Sequence, residues 1–280
     1  MDTKDLLSIT GSLTTILQFL AGIPICRDIW RKGSTDGISG LPFLAGVLGC
    51  SLWFRYSLIL QDQTMCLVNL IGLILQVCYV LIYLLYPSTQ KATFHRQLGT
   101  ILAILFGVIY YCSIEPKVDI AKFRLGVICC LTTLFFCASP LASLRDVIRM
   151  KNTAPLPFPL ILLTALVTGQ WYLYGVCIGD SVVQLPNLIG CMIATFQLSL
   201  FLVYPRTPAV KPHGDCIDPV VLECRKKIKP SDSAYQRTLL KKFQAPIYKN
   251  VQFCIFCQKT DYGWMFMCFF FRVIISTQWF

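Results

Sequence analysis

Asn69-Leu70-Ile71-Gly72 and Asn187-Leu188-Ile189-Gly190 are the same four residues, 118 positions apart. Working outward at that offset, Asp62 returns as Asp180, and Trp53 and Tyr56 as Trp171 and Tyr174. Arg27-Asp28 returns as Arg145-Asp146, Leu13-Thr14-Thr15 as Leu131-Thr132-Thr133, and Tyr86-Pro87 as Tyr204-Pro205. Residues 11–87 therefore reappear at 129–205. Two copies of one unit imply a pseudo-twofold axis and a site where the copies meet. In a membrane, parallel repeats about the membrane normal are one form of transporter architecture.

The chain is a membrane chain by composition. Of its 280 residues 55% are hydrophobic and 14% charged, where a soluble domain carries about 25% charged residues. Mean hydropathy is +0.63. A globular core cannot hide this much apolar surface, so lipid is the solvent for much of it. The net charge of +11 would suggest nucleic acid in a soluble protein. Here the cations sit between apolar runs and in the tail, which is the positive-inside pattern, and no nucleic-acid partner is expected. Most of the fifteen cysteines stand singly in apolar runs. They read as small buried hydrophobes, not a disulfide framework. Asp2, Lys4 and Asp5 give no positive n-region, and no small-residue cleavage site follows, so the first helix is expected to remain as an uncleaved anchor.

A membrane helix needs about 20 apolar residues. The spans fall at 6–26, 41–60, 66–86, 98–114, 125–143, 158–178 and 182–204. The fourth is short and has no partner in the repeat, so it reads as a linker that lets both triples insert in the same orientation. The expected fold is all-α, with seven transmembrane helices as 3+1+3 parallel repeats. The expected division is a triple-helix bundle at 6–87, a linker helix at 98–114, a second bundle at 125–205 and a tail at 206–280. Arg27, Arg31, Lys32, Lys91, Arg96, Arg145, Arg149 and Lys151 fall in loops 1–2, 3–4 and 5–6. Loops 2–3 and 6–7 carry no Lys or Arg, and loop 4–5 carries Lys117, Lys122 and Arg124. The balance places the N-terminus outside and the C-terminus in the cytosol. The tail is basic over 213–250, including Arg225-Lys226-Lys227, and dense in aromatics over 262–280. It suits either a solvated segment or one that meets anionic lipid at the inner leaflet.

The middle of these spans holds no Asp, Glu, Lys or His, groups that usually mark proton relays or ion coupling there. Arg55 lies near one end of its helix, where its head can reach the interface. A core without titratable groups implies passive movement of a neutral polar solute. Asn69 and Asn187 occupy matched positions, and an amide offers both donor and acceptor to a hydroxyl-rich ligand. The other reading is two amides joining helices; duplication of the whole block favours the ligand. Trp53 and Trp171 stand sixteen residues before each Asn. They suit either the C–H face of a sugar ring or an interfacial belt. Pro24, Pro42, Pro140, Pro157 and Pro159 each mark a helix start or remove a helix hydrogen bond, and membrane helices use such breaks as hinges.

These residues resemble the SWEET (MtN3/saliva) family, whose parallel repeats are a known instance of this symmetry. The likeness spans about residues 5–205. It rests on Lys32-Gly33-Ser34-Thr35, Gly40-Leu41-Pro42-Phe43, Trp53, Tyr56 and the Asn69 block. The second half adds Ala138-Ser139-Pro140, Asn152-Thr153, Leu156-Pro157-Phe158, Trp171-Tyr172-Leu173-Tyr174-Gly175, Pro186-Asn187 and Tyr204-Pro205. The animal branch is the nearest match. The resemblance implies facilitative transport of mono- or disaccharides such as glucose by alternating access. It implies sugar contact by Asn69, Asn187, Trp53 and Trp171, and hinges at Pro42, Pro140 and Pro157. Gly22, with Pro24 two residues on, stands in for the first hinge proline. The chain departs from the family in the tail beyond about 212 and at Gly49 and Val167, where small polar residues often precede the tryptophans by one turn.

Two other classes share the seven-span plan. A proton-coupled amino-acid exporter of the PQ-loop type needs Pro-Gln pairs and intramembrane acids, which this chain lacks. A receptor or scaffold has no need of internal duplication. No enzyme is expected: His95 and His213 lie in loops without metal-ligand neighbours, and Cys254-Ile-Phe-Cys257 is a lone pair. No cofactor or metal is expected. The expected partners are a sugar and the bilayer, and the limited packing of a three-helix bundle leaves a homo-oligomer open. Residence is expected in the plasma membrane and/or Golgi.

Overall fold

The computed structural model describes residues 2–137, 144–145, 147–154 and 156–206. Eight helices are described in full: α1 (Thr3–Phe19), α2 (Gly22–Lys32), α3 (Leu41–Leu60), α4 (Gln63–Leu85), α5 (Lys91–Ile114), α6 (Val118–Phe136), α7 (Phe158–Cys177) and α8 (Ser181–Val203). Among the described residues, six spans are long and apolar enough to cross a membrane, the first being α1 and α2 taken together as Thr3–Lys32. The seventh, α6, is the repeat of α1 and carries Asp119, Lys122 and Arg124 in its first two turns. Large apolar side chains such as Leu85, Phe106 and Leu202 stand exposed on the outside of the bundle, as lipid contact requires.

The helices meet in a closed cycle. α1 packs on α4, α4 on α3, α3 on α6, α6 on α8, α8 on α7, and α7 on α1. The first bundle is α1–α4–α3 and the second α6–α8–α7. In each, the third helix of the triple stands between the other two. In this cycle α4 and α8 lie opposite each other across the central axis. The linker α5 lies outside the ring and packs on α3. Its buried residues Phe94, Ile101, Ile104, Leu105, Val108 and Cys112 recur at helical spacing on one face. The Arg55 guanidinium reaches the Cys112 carbonyl (3.5 Å) in the last turn of α5, among the carbonyls a helix end leaves unpaired.

Each triple is closed by the same loop lock. The Thr35 amide and hydroxyl both reach the Pro87 carbonyl (3.0 and 3.2 Å). Thr153 repeats this with the Pro205 carbonyl (3.1 and 3.3 Å). Both threonines are buried. Asp62 and Asp180 begin α4 and α8 as N-caps. Asp62 accepts from the Met65 amide, and Asp180 from the Val182 and Val183 amides. The tight turns before them place Gln61 (φ 57°) and Gly179 (φ 68°) in the left-handed region. Only the second copy uses the residue that adopts it freely.

Four sequence expectations change. The fourth span is not short: α5 starts at Lys91 and has 24 residues. It starts early because Ser88 and Thr89 close the preceding turn, Thr89 onto Asp36. His95 therefore lies on α5, not in a loop. α6 starts at Val118, so Lys122 and Arg124 lie on a helix. They are tolerated there because Lys122 pairs with Asp180 (3.2 Å) and Arg124 with Glu115 (3.6 Å).

The first span, expected unbroken over 6–26, divides after Phe19. The Ile23 amide turns to the Leu20 carbonyl (3.0 Å), and Pro24 has no N–H to give. This frees the Phe19 carbonyl, which the Tyr79 hydroxyl takes at 3.1 Å. A Cβ at Gly22 would overlap the Tyr79 ring. We expect Gly22→Val to destabilise the fold by about 1–3 kcal/mol through overpacking. The measurement is the midpoint of heat-induced unfolding in detergent, where an unchanged midpoint would contradict the contact.

Pro140 and the tail, with Cys254, Cys257 and His213, lie outside the described residues. Pro42 and Pro159 both occupy the first turn of their helices, α3 and α7, while Pro157 is the N-cap of α7. By position relative to the cap, Pro159 is thus the counterpart of Pro42.

Candidate functional site

Trp53 and Tyr56 sit one turn apart on α3, and Trp171 and Tyr174 one turn apart on α7. Each Trp meets its Tyr edge-on, at 5.8 and 5.3 Å between centroids. All four reach across to the other bundle. The Trp53 indole N–H donates to the Thr133 hydroxyl (3.2 Å), and that of Trp171 to Thr15 (2.8 Å). Each threonine hydroxyl in turn donates one turn back along its own helix, to Cys129 and Gly11. The pseudo-twofold axis thus appears as two identical bonds, one in each seam between bundles.

The tyrosines extend the pattern. The buried Tyr56 hydroxyl donates to the Asp180 carboxylate, with oxygens at 2.9 and 3.1 Å. The Tyr174 hydroxyl donates to Asp62 Oδ2 at 2.6 Å. Each carboxylate therefore does two things: it caps the third helix of its own bundle and holds a tyrosine from the other. Gly126 on α6 makes room for this crossing, since a Cβ there would meet Val182 at 2.8 Å and the Tyr56 ring at 3.2 Å. Hydrogen bonds to an ionised acceptor are the strong kind, so these two pairs latch that end of the seam. The latches are not equal. Asp180 is 6% exposed and also pairs with Lys122, whereas the half-buried Asp62 has no ion pair among the described residues.

The asparagines sit deeper, two turns beyond each cap. The Asn69 side-chain N–H donates to the Met65 carbonyl and that of Asn187 to the Val183 carbonyl, both at 2.8 Å. Neither amide bonds to another helix, so among the described residues neither ties helices together. Each is pinned by one N–H to its own helix. Among the described residues, its other N–H and its carbonyl oxygen have no partner. Both residues are half-buried and stand on opposing members of the ring, α4 and α8. Met65, Asn69, Gly72, Gln76, Tyr79 and Tyr83 share one face of α4 at helical spacing. Gly72 lets Phe19 and Cys50 close in beside that face.

The reciprocal Tyr–Asp and Trp–Thr pairs were not assigned from sequence. Their signal was present, because Tyr56, Tyr174, Asp62, Asp180, Thr15 and Thr133 all obey the 118-residue offset. What sequence cannot give is that each partner comes from the other copy, 124 and 112 residues away for the two tyrosines. A cavity of about 540 Å³ at the opposite end is lined by Asp28, Arg31, Lys32, Asp36, Gly37 and Ile38. It lies on the loop that Thr89 and Asp36 fasten and is set apart from the asparagines. No group of His, Cys, Asp and Glu suited to a metal occurs among the described residues.

Fold and site together define a duplicated triple-helix membrane protein whose two copies clasp each other reciprocally across an axis flanked by uncharged amides. The model of the MtN3/saliva family, described as "Sugar efflux transporter for intercellular exchange", matches residues 5–91 and 123–209, and the chain belongs to that family. It is 44% identical over 203 residues to Sugar transporter SWEET1 of Drosophila pseudoobscura pseudoobscura, covering 72% of this chain and 89% of that one. It is 40% identical to Sugar transporter SWEET1 of Caenorhabditis elegans (71% of this chain, 65% of that one) and 34% identical to that of Mus musculus (69% and 87%). Among solved structures, "The 3.7 A resolution structure of a eukaryotic SWEET transporter" superposes with a TM-score of 0.65 at 24% identity. It covers 72% of this chain and 99% of that one, a likeness of fold. The family is one of transporters, not of enzymes.

Proposed function

We propose that this chain is a facilitative sugar transporter that carries a neutral mono- or disaccharide such as glucose by alternating access. The observation that carries this reading is the pair Asn69 and Asn187. Each has one N–H fixed to its own helix, with the rest of the amide left for a ligand, on opposing helices of a closed ring. Trp53 and Trp171 flank the sugar with their faces while their indole N–H groups hold the seams. Among the described residues no Asp, Glu or His stands beside the asparagines, and Arg55 at a similar depth turns to the Cys112 carbonyl of α5, so proton coupling has no carboxylate or imidazole carrier there.

The Tyr56–Asp180 and Tyr174–Asp62 pairs close one end, which the loop charges assign to the outside together with the N-terminus. The C-terminus and the basic, aromatic tail of 206–280 are then cytosolic. The two bundles (6–87 and 125–205) rock about breaks at the other end. Those breaks are the Gly22–Pro24 division of the first span, Pro42, Pro157 and, outside the described residues, Pro140. We place the protein in the plasma membrane and/or Golgi.

The test is uptake of labelled glucose by proteoliposomes. Uptake is expected without any ion gradient and at the same rate when a protonophore is added. A requirement for a pH gradient would remove the uniport reading, and uptake of no sugar in a panel of mono- and disaccharides would remove the transport reading altogether.

A further inference from the structure

The two seams between the bundles share geometry but not chemistry. Along α1 and α7, the Thr14 hydroxyl meets the Gln170 side-chain carbonyl at 2.7 Å. The Gln18 amide donates to the Thr164 hydroxyl at 2.9 Å, which donates onward to the Leu160 carbonyl. With Trp171 on Thr15, three rungs cross that seam. The equivalent positions along α3 and α6, at the 118-residue offset, are Thr132, Leu52, Phe136 and Gly46. Only the Trp53–Thr133 rung is repeated there, at 3.2 Å.

The groups left over are informative. Thr132 Oγ1 is buried without a partner, and Leu52 stands at the position equivalent to Gln170 in the other seam. Gly46 replaces Thr164. The Gln76 side chain from α4 fills the notch it leaves, with Oε1 buried and unpartnered. The third such atom is Arg55 Nε, again on α3. Among the described residues, the buried side-chain polar atoms without partners thus lie on α3, against it, or on the seam it shares with α6. None lies on α7. A buried polar atom without a partner is destabilising, and water or a sugar hydroxyl relieves it. Parting the α3–α6 seam breaks one rung, Trp53–Thr133, and opens Thr132 and Gln76 to water, whereas parting the α1–α7 seam breaks three.

We propose that Gln170 and Gln18 are positioning residues that keep the α1–α7 seam closed as the pivot, and that the bundles part along α3–α6 to admit and release sugar. This rests on the reading of the chain as an alternating-access sugar transporter.

The test uses the full chain in proteoliposomes. Leu52→Gln gives Thr132 the partner that Thr14 has, adding a rung to the seam that must open. The maximal exchange rate should fall about tenfold, the effect of one interhelical hydrogen bond, while KM changes less than about twofold. Adding Thr132→Val to Leu52→Gln should restore the rate, because the new rung loses its hydroxyl donor. An unaltered rate in Leu52→Gln, or equal slowing with Thr132→Val present, overturns the proposal. Hydrogen–deuterium exchange of the unmodified protein in nanodiscs, with and without glucose, gives an answer independent of variant folding. Sugar-dependent changes are expected in α3 and α6 and not in α1 and α7; equal changes in both seams overturn the assignment. No change in any helix, combined with no uptake, removes the transport reading instead.

Discussion

We expect Asn69→Ala and Asn187→Ala each to reduce sugar uptake by roughly 30- to 150-fold while the protein remains abundant and folded. Among the described residues, each amide has a donor and an acceptor without a partner, which the proposed sugar would take. Two neutral hydrogen bonds of about 1–1.5 kcal/mol give about 2–3 kcal/mol, which sets that factor. Stability should hardly change, since each amide's recorded bond goes only to its own helix. The check is glucose uptake into proteoliposomes beside the midpoint of heat-induced unfolding in detergent. Retained uptake in either variant moves the sugar site elsewhere. A large loss of stability would return the asparagines to a packing role.

Asp180→Ala is the most destabilising single carboxylate change expected. The residue caps α8, accepts from Tyr56 and pairs with Lys122. Loss of the cap costs about 1 kcal/mol. Loss of a hydrogen bond to an ionised acceptor costs about 1.5–3 kcal/mol. Lys122 is 38% exposed, so its pair adds at most about 1 kcal/mol. The sum is about 2.5–5 kcal/mol. Asp62→Ala loses a cap and a tyrosine without an ion pair, so its midpoint should fall less. Tyr56→Phe keeps the cap and the lysine pair and isolates the latch. It should reduce exchange, because one end of the seam no longer seals. Equal midpoints for Asp62→Ala and Asp180→Ala would show that the Lys122 pair and the deeper burial contribute nothing. Full exchange in Tyr56→Phe would dismiss the latch.

Much of the architecture is legible in the chain because lipid restricts it to few solutions. A span must satisfy its own backbone, so apolar length alone located helices such as 41–60, the same residues as α3. The ends were harder. α5 and α6 begin with cationic, polar residues that hydropathy reads as loop. Partners from other segments hold Lys122 and Arg124 in place: Asp180 lies 58 residues beyond the first, and Glu115 across a turn from the second. The break after Phe19 was half legible. Gly22 and Pro24 signal it, but Tyr79, which takes the freed carbonyl, lies 60 residues on.

Of the site, the sequence marked the members and the structure supplied the partners. Trp53, Tyr56, Asp62 and Asn69 each have a copy, which implies a shared axis. Which copy each residue serves is set by the order of the ring, in which α1 meets α7 and α3 meets α6. The asymmetry between those seams was in the sequence as Leu52 against Gln170 and Gly46 against Thr164. It meant nothing until the helices were placed face to face.

Sequence by itself determined the duplication, the membrane setting and the absence of Asp, Glu, Lys and His from the middle of the spans. These are properties of composition and spacing, which hold along the chain before it folds. Only tertiary structure decided that the copies clasp each other reciprocally, and which of their two seams carries satisfied bonds. A hydrogen bond depends on where two groups end up in space, and helices distant in the chain become neighbours only through packing.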